Sequence, residues 1–387
     1  MKKEYRFVLY IGLLSLFADM TYEGARSITG PYLATLHASG LIVGIVAGLG
    51  ELIGYCLRII SGYVSDKTGK FWPIAIVGYF INLIAVPLLA LTTHWPSAAV
   101  LIITERFGKA IRVPPKDVML SFATKRMGRG WGFGIQGALG HIGSLIGPLA
   151  IACWLSADGS FKSSFAFLAI PAAVAFVALL RTRSLYPNPE LFETASPEQQ
   201  TVSTANFPKA FWLYLIAISC VACGYVDFAL IAFHFQKAGI IPAAWIPAFY
   251  AVAMAVNGIS CLLLGKLFDI KGIPVLLYGT GLVAFASPLV FLGNFAGALI
   301  GMVLWGMGMG MQMTIMRAQL ANLIPTQLRG RGYGILNMAF GLFWFLGSAL
   351  MGLMYDISIP LLVAFSLVIQ LIAIPFFKRS GHVINSK

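Results

Sequence analysis

The stretch Gly62-Tyr63-Val64-Ser65-Asp66-Lys67-Thr68-Gly69-Lys70 lies between two long apolar runs. Its glycines permit a tight reversal, and Asp66, Lys67 and Lys70 suit only the aqueous side of one, so the nine residues read as a charged turn at a membrane edge. The pattern returns as Gly265-Lys266-Leu267-Phe268-Asp269-Ile270-Lys271-Gly272. A second marker repeats at nearly the same offset: Gly128-Arg129-Gly130-Trp131-Gly132 is answered by Gly330-Arg331-Gly332-Tyr333-Gly334. Two markers sharing one spacing point to a chain of two similar halves, parallel in topology because both copies lie beside Lys and Arg.

Composition agrees. With 59% hydrophobic and 11% charged residues and a mean hydropathy of +0.84, the chain departs from soluble proteins, in which about 25% charged is usual. A lipid bilayer is its expected surroundings. The net charge of +13 would suggest nucleic acid if the bases clustered on one face. They are spread among short connections between apolar segments, so no nucleic-acid partner is expected. Cys56, Cys153, Cys220, Cys223 and Cys261 all fall in apolar runs and read as small buried hydrophobes rather than redox or metal groups. The sequence has no nucleotide loop and no metal-spaced His/Cys cluster, so no cofactor and no metal are expected. Nor can a nucleophile, base and oxyanion set be assembled, and an enzyme is not expected.

At about 20 apolar residues per crossing, spans are expected near 7–36, 40–64, 71–92, 97–118, 130–156, 164–180, 210–235, 243–264, 273–292, 296–318, 332–355 and 360–377. The first is too long and too polar at its centre for a cleaved signal peptide. The expected fold is therefore an all-α polytopic membrane protein with twelve transmembrane helices in two six-helix bundles, residues 1–183 and 210–387, joined by a cytoplasmic linker over 184–209. The linker reads as mobile, since Ser184 to Asn206 is rich in proline and polar residues. Bases such as Lys67, Lys70, Lys125, Arg126, Arg129, Arg181, Arg183, Lys266, Lys271, Arg329 and Arg331 lie beside even-numbered connections, against only Lys162 and Lys237 beside odd-numbered ones. That bias puts both termini and the linker in the cytoplasm. A monomer in the inner cell membrane is expected.

The segment Gly62 to Lys70 resembles the signature between the second and third helices of the major facilitator superfamily, in which Gly, Asp, a base, Gly and another base recur at these spacings. The resemblance extends to Arg106 in the fourth helix, and to Gly134, Gly143, Gly147 and Pro148 in the fifth, which look like the glycine-proline motif of drug/proton antiporters. That second match is partial, because Ile151 and Ala152 replace its closing glycine pair. Glu105 to Asp117 also resembles a run in bacterial facilitators described as permeases or drug-resistance transporters. What the resemblance implies is the major facilitator fold and alternating access. It further implies a cytoplasmic gate at Gly62, Asp66, Lys67, Gly69, Lys70, Asp269, Arg129 and Arg331, with Asp66 facing Arg331 and Asp269 facing Arg129.

Chemistry is expected from polar residues inside the spans, since a charge at mid-membrane costs at least about 2.5 kcal/mol on insertion scales. Helix one carries Asp19, Glu23 and Arg26 at i, i+4 and i+7, on one face. Helix two adds Glu51 and Arg58, helix five Gln136 and His141, and helix seven Asp227. Helix four carries Glu105, Lys109 and Arg112 on one face, with Arg106 turned about 100° away. Pro114 and Pro115 should end or kink that helix. Individually these residues could be ion pairs that make the interior tolerable, and His141 a hydrogen-bonded core histidine. As a set they lie almost wholly in the first half, which suggests a one-sided polar cavity that couples transport to protons. Tyr225, Tyr250, Asn257, Asn337 and Trp344 form a polar-aromatic set in the second half, suited to binding substrate. Gly306, Gly308 and Gly310 suit close packing.

The expected function is a secondary transporter, proton-coupled and exporting a small organic compound. A proton-coupled importer or facilitator of a small polar or anionic solute is the second reading. A membrane receptor or lipid-handling protein that has lost transport is the third.

Overall fold

An apolar segment in lipid must satisfy its backbone groups internally, and a single segment can do so only as a helix. The computed structural model describes residues 2–124, 128–192, 207–324 and 328–385. Its α-helices are α1 (Lys2–Thr35), α2 (Gly40–Thr68), α3 (Phe71–Leu88), α4 (Trp95–Thr124), α5 (Arg129–Ser156), α6 (Phe161–Phe167), α7 (Ala169–Leu185), α8 (Lys209–Gly224), α9 (Phe228–Ala238), α10 (Trp245–Lys271), α11 (Ile273–Val283), α12 (Ala286–Leu292), α13 (Phe295–Met313), α14 (Ile315–Leu323), α15 (Arg329–Ile357) and α16 (Ile359–Asn385). Among the described residues there is no strand. Four of the twelve spans are interrupted, as α6–α7, α8–α9, α11–α12 and α13–α14. The break between α8 and α9 is marked in the sequence by Asp227, the charge expected in span seven, which caps α9.

By length and apolar character, 10 helices among the described residues could cross a membrane. The two spans outside that set are α1 and α4, and the cause is their charge: Asp19, Glu23 and Arg26 on one, Glu105, Arg106, Lys109 and Arg112 on the other.

Contacts divide the chain into two units. One comprises Met1–His37, Ile53–Pro197 and Ala243–Ala251, the other Ala38–Leu52, Glu198–Pro242 and Val252–Lys387. In the first unit the core is built on Phe7, Ile11, Leu14, Trp72, Tyr79, Leu83, Met119, Leu120 and Leu179, contributed by α1, α3, α4 and α7. In the second, Gly306 and Gly310 of α13 meet the backbone of Ala253 and Asn257 on α10, so their expected use in close packing is what the helices require.

The charged turn is shorter than the sequence suggests. Helix α2 continues through Thr68, and only Gly69 (φ 65) and Lys70 reverse the chain. The Gly69 amide donates to the Ser65 carbonyl at 2.9 Å, a helix end that needs the left-handed conformation glycine tolerates. The second half repeats the device: α10 runs through Lys271, Gly272 has φ 67, and its amide donates to Phe268 O at 2.7 Å. The sequence repeat is therefore a repeated helix end.

Prolines 114 and 115 do not end α4, which continues to Thr124. Pro115 lacks the N–H that would bond the Ile111 carbonyl, and the Ser61 hydroxyl of α2 donates to that carbonyl at 2.7 Å. A neighbouring hydroxyl thus replaces the lost helical bond, the usual remedy in a membrane interior. The linker is also less free than its composition implies. Helix α7 extends to Leu185, a short 3-10 turn follows at Pro189–Phe192, and the Trp72 indole donates to Tyr186 O at 3.0 Å. Phe7 packs on Tyr186 and Phe192 with ring centroids 5.3 and 5.5 Å apart. Residues 193–206 lie outside the described residues.

In the second unit, Asp356 at the end of α15 closes the start of α2. Its carboxylate accepts from the amides of Gly40 and Leu41, both at 2.8 Å. An anion at a helix N-terminus satisfies orphan donors and meets the positive end of the dipole. Asp356→Ala is expected to lower stability by about 1 kcal/mol, and Asp356→Asn by less. Thermal unfolding of the purified variants checks both.

Candidate functional site

Small residues let each charged helix pack closely on an uncharged neighbour. An added Cβ at Gly143 or Gly147 of α5 would meet the backbone of Leu16 or Met20 on α1, so these helices touch along their main chains. Gly78 of α3 lies against the Arg112 backbone, and Gly108 of α4 against that of Asn82.

Arg112 Nη2 stands 3.7 Å from Asp19 Oδ1, with its guanidinium 4.4 Å from the Tyr79 ring centroid. The Asp19 carboxylate lies over Gly140, where a Cβ would come within 2.7 Å of Oδ2. Glu105 accepts from Asn82 Nδ2 at both its carbonyl (3.0 Å) and Oε1 (2.6 Å), and its Oε2 is 3.5 Å from Arg106 Nε. Arg106 was expected to point away from this face, but its side chain folds back: Nη1 donates to the Tyr22 hydroxyl. Arg26 Nη1 donates to the same hydroxyl at 3.2 Å. Lys109 Nζ sits 3.3 Å from the Tyr22 ring centroid and Arg106 Cζ 4.8 Å from it. Tyr22 is therefore the hub of three cations, using both its hydroxyl and its π face. Glu23 accepts from the Tyr250 hydroxyl at 2.6 Å, and Gln136 donates to Ser15 Oγ at 2.9 Å.

The cluster therefore unites Asp19, Glu23, Arg26, Glu105, Arg106, Lys109 and Arg112. Tyr250, expected among the substrate residues, joins it through Glu23. The other expected residues lie elsewhere. Arg58 is half-buried over the Tyr55 ring, 5.7 Å from its centroid; Glu51 is half-buried on α2, and His141 is exposed on α5. Asp227 caps α9, accepting from the Ala229 amide at 2.9 Å and from Trp344 Nε1 at 3.2 Å. Tyr225 stacks on Trp305 and packs on Trp344, with centroids 5.5 and 5.4 Å apart, and donates to Trp305 O. Asn257 is buried beside Cys261, and Asn337 is half-buried on α15. Of the expected substrate residues in the second unit, Tyr225 and Trp344 are in ring contact.

Of the expected gate residues, Asp66, Lys67, Gly69, Lys70 and Asp269 are exposed, Gly62 is half-buried, and Arg331 lies over the Phe207 ring at 5.4 Å. The Arg129 side chain lies outside the described residues. Sequence reasoning missed Tyr22, Tyr79 and Asn82. Asn82 left a signal, as the one amide in an otherwise apolar span; Tyr22 left only its place inside the Asp19-to-Arg26 run.

The sequence profile of the Major Facilitator Superfamily matches residues 11–380. An uncharacterized protein of Mycobacterium tuberculosis is 36% identical over 374 residues, covering 96% of this chain and 91% of the relative. An uncharacterized MFS-type transporter of Methanocaldococcus jannaschii is 26% identical over 95% of this chain and 92% of its own. Among solved structures, a mutant of the nucleoside transporter NupG superposes with a TM-score of 0.79 at 15% identity, covering 96% of this chain and 100% of that one. A bacterial homolog of the human lysosomal transporter Spinster, inward-facing and unoccupied, gives 0.77 at 14%, covering 98% and 97%. At such identities the likeness is one of fold. With twelve helical spans among the described residues, a repeated helix end and a family match along nearly its whole length, the chain belongs to the Major Facilitator Superfamily.

Proposed function

We propose that the protein is a proton-coupled secondary transporter that exports a small organic compound by alternating access. What carries the reading is the buried cluster of α1 and α4, where Asp19 faces Arg112 and Glu105 faces Arg106. A carboxylate held by a guanidinium in low-dielectric surroundings changes its proton affinity whenever helix movement alters that distance. Proton loading can then be tied to conformation. In the same reading both termini are cytoplasmic, the chain works as a monomer in the inner membrane, and Asp66 and Asp269 belong to a cytoplasmic gate.

Ligands found by thermal stabilisation at two pH values would be followed in proteoliposomes under an imposed pH gradient. Asp19→Asn and Glu23→Gln are each expected to keep ligand binding and lose gradient-driven accumulation. Normal accumulation in both variants would reject proton coupling through this cluster.

A further inference from the structure

The cluster's charges do not balance. Counted formally, Asp19, Glu23 and Glu105 give three negative charges, and Arg26, Arg106, Lys109 and Arg112 four positive ones. Each acid is engaged: Asp19 by Arg112, Glu105 by Arg106 and Asn82, Glu23 by Tyr250. Lys109 is different. Its ammonium rests on the Tyr22 face, 3.3 Å from the centroid, and among the described residues it has neither a hydrogen-bond acceptor nor a carboxylate at ion-pair distance. It is half-buried on α4, one turn from Glu105 and nearly one turn from Arg112. An ammonium carries three donors, and a surplus charge inside a membrane span is costly without a counter-charge.

We infer that Lys109 is the recognition point for an anionic group on the transported compound, a carboxylate, phosphonate or sulfonate; the inference rests on the transporter reading above. The incoming anion brings the cluster's formal charge from plus one to zero. It also gives Lys109 Nζ the charge-assisted hydrogen bonds that the ring face cannot supply. Tyr22 holds the ammonium until the anion arrives, and Arg106, on the same ring, stands beside the position the anion takes.

The test uses the purified full-length protein at fixed pH and ionic strength, with acetate, benzoate, methylphosphonate and sulfate as probes against a chloride background. At least one probe is expected to raise the melting temperature by about 2–4 °C. Lys109→Met should weaken that probe about ten- to hundredfold, and Lys109→Arg should retain it. If Lys109→Met does not fold, Lys109→Gln, which keeps hydrogen-bonding capacity without charge, serves in its place and should show the same weakening. Asp19→Asn separates the two readings: it should lose gradient coupling yet keep stabilisation by the anion. Stabilisation that survives loss of the Lys109 charge would overturn the inference, as would no response of the unmodified protein to any of the four anions, or a response to the cation tetraphenylphosphonium alone.

Discussion

Arg112→Met is expected to destabilise the purified protein by on the order of 3 kcal/mol and to abolish gradient-driven transport. Removing the guanidinium leaves the Asp19 carboxylate without its partner 3.7 Å away. It also strips the Tyr79 ring of the cation lying 4.4 Å from its centroid. Methionine roughly conserves the volume, so the loss reports charge rather than a cavity. The Asp19 side chain keeps 26% of its surface exposed, which places the effect toward the lower end for breaking a buried pair. Adding Asp19→Asn should return most of the stability, because no orphaned charge then remains, while transport stays lost. Thermal unfolding of the two single variants and the double variant measures the coupling directly. Additive losses would show that the pair contributes nothing beyond its separate residues.

The second large effect is steric. Gly143→Leu is expected to yield no folded protein, and Gly143→Ala to cost about 1–3 kcal/mol, because even a Cβ at this position would run into the Leu16 main chain. Gly147 meets Met20 in the same way. Gly134 belongs to the same glycine-rich run but has open space where its Cβ would be. There Gly134→Ala should be neutral or stabilise by up to about 1 kcal/mol through helix propensity. Size-exclusion profiles and melting temperatures of the three alanine variants decide the matter; equal losses at all three sites would refute a packing role for Gly143 and Gly147. The glycine-proline resemblance of α5 thus has a structural explanation in two of its glycines, since they let α1 and α5 approach closely enough for the Asp19 carboxylate to rest on Gly140.

The interrupted span seven shows how the second unit differs from the first. Where α8 stops at Gly224, its carbonyl accepts from Ser366 Oγ at 2.7 Å and Gln370 Nε2 at 3.0 Å. Trp305 Nε1 donates to Val226 O at 2.8 Å. Irregular backbone inside a membrane is tolerated where neighbouring helices satisfy it, and here α13 and α16 do so. Tyr225, Asp227 and Trp344 therefore hold a helix break and its cap together, whereas the charged residues of α1 and α4 hold one another.

Much of this protein was legible in its sequence because the bilayer imposes a simple rule. Apolar runs of sufficient length become helices, and α2, α3, α5, α10 and α15 lie close to the segments hydropathy marked. The 203-residue offset between Asp66 and Asp269, like that between Gly69 and Gly272, carried the repeat of a helix end. Spacing also put Asp19, Glu23 and Arg26 on one helical face, since 3.6 residues per turn is a local property of the chain.

What only the tertiary structure decided concerns groups whose partners lie on other helices. Local spacing turned Arg106 away from Glu105's face, but a long flexible side chain reaches back to Tyr22, 84 residues earlier. Pro115 would break an isolated helix; Ser61, 50 residues before Ile111, supplies the missing donor. Tyr250 meets Glu23 across 227 residues, a pairing no periodicity can encode. Hydropathy and helical period are properties of neighbouring residues, whereas the partner of a buried polar group is set by which helices pack and how closely their glycines allow.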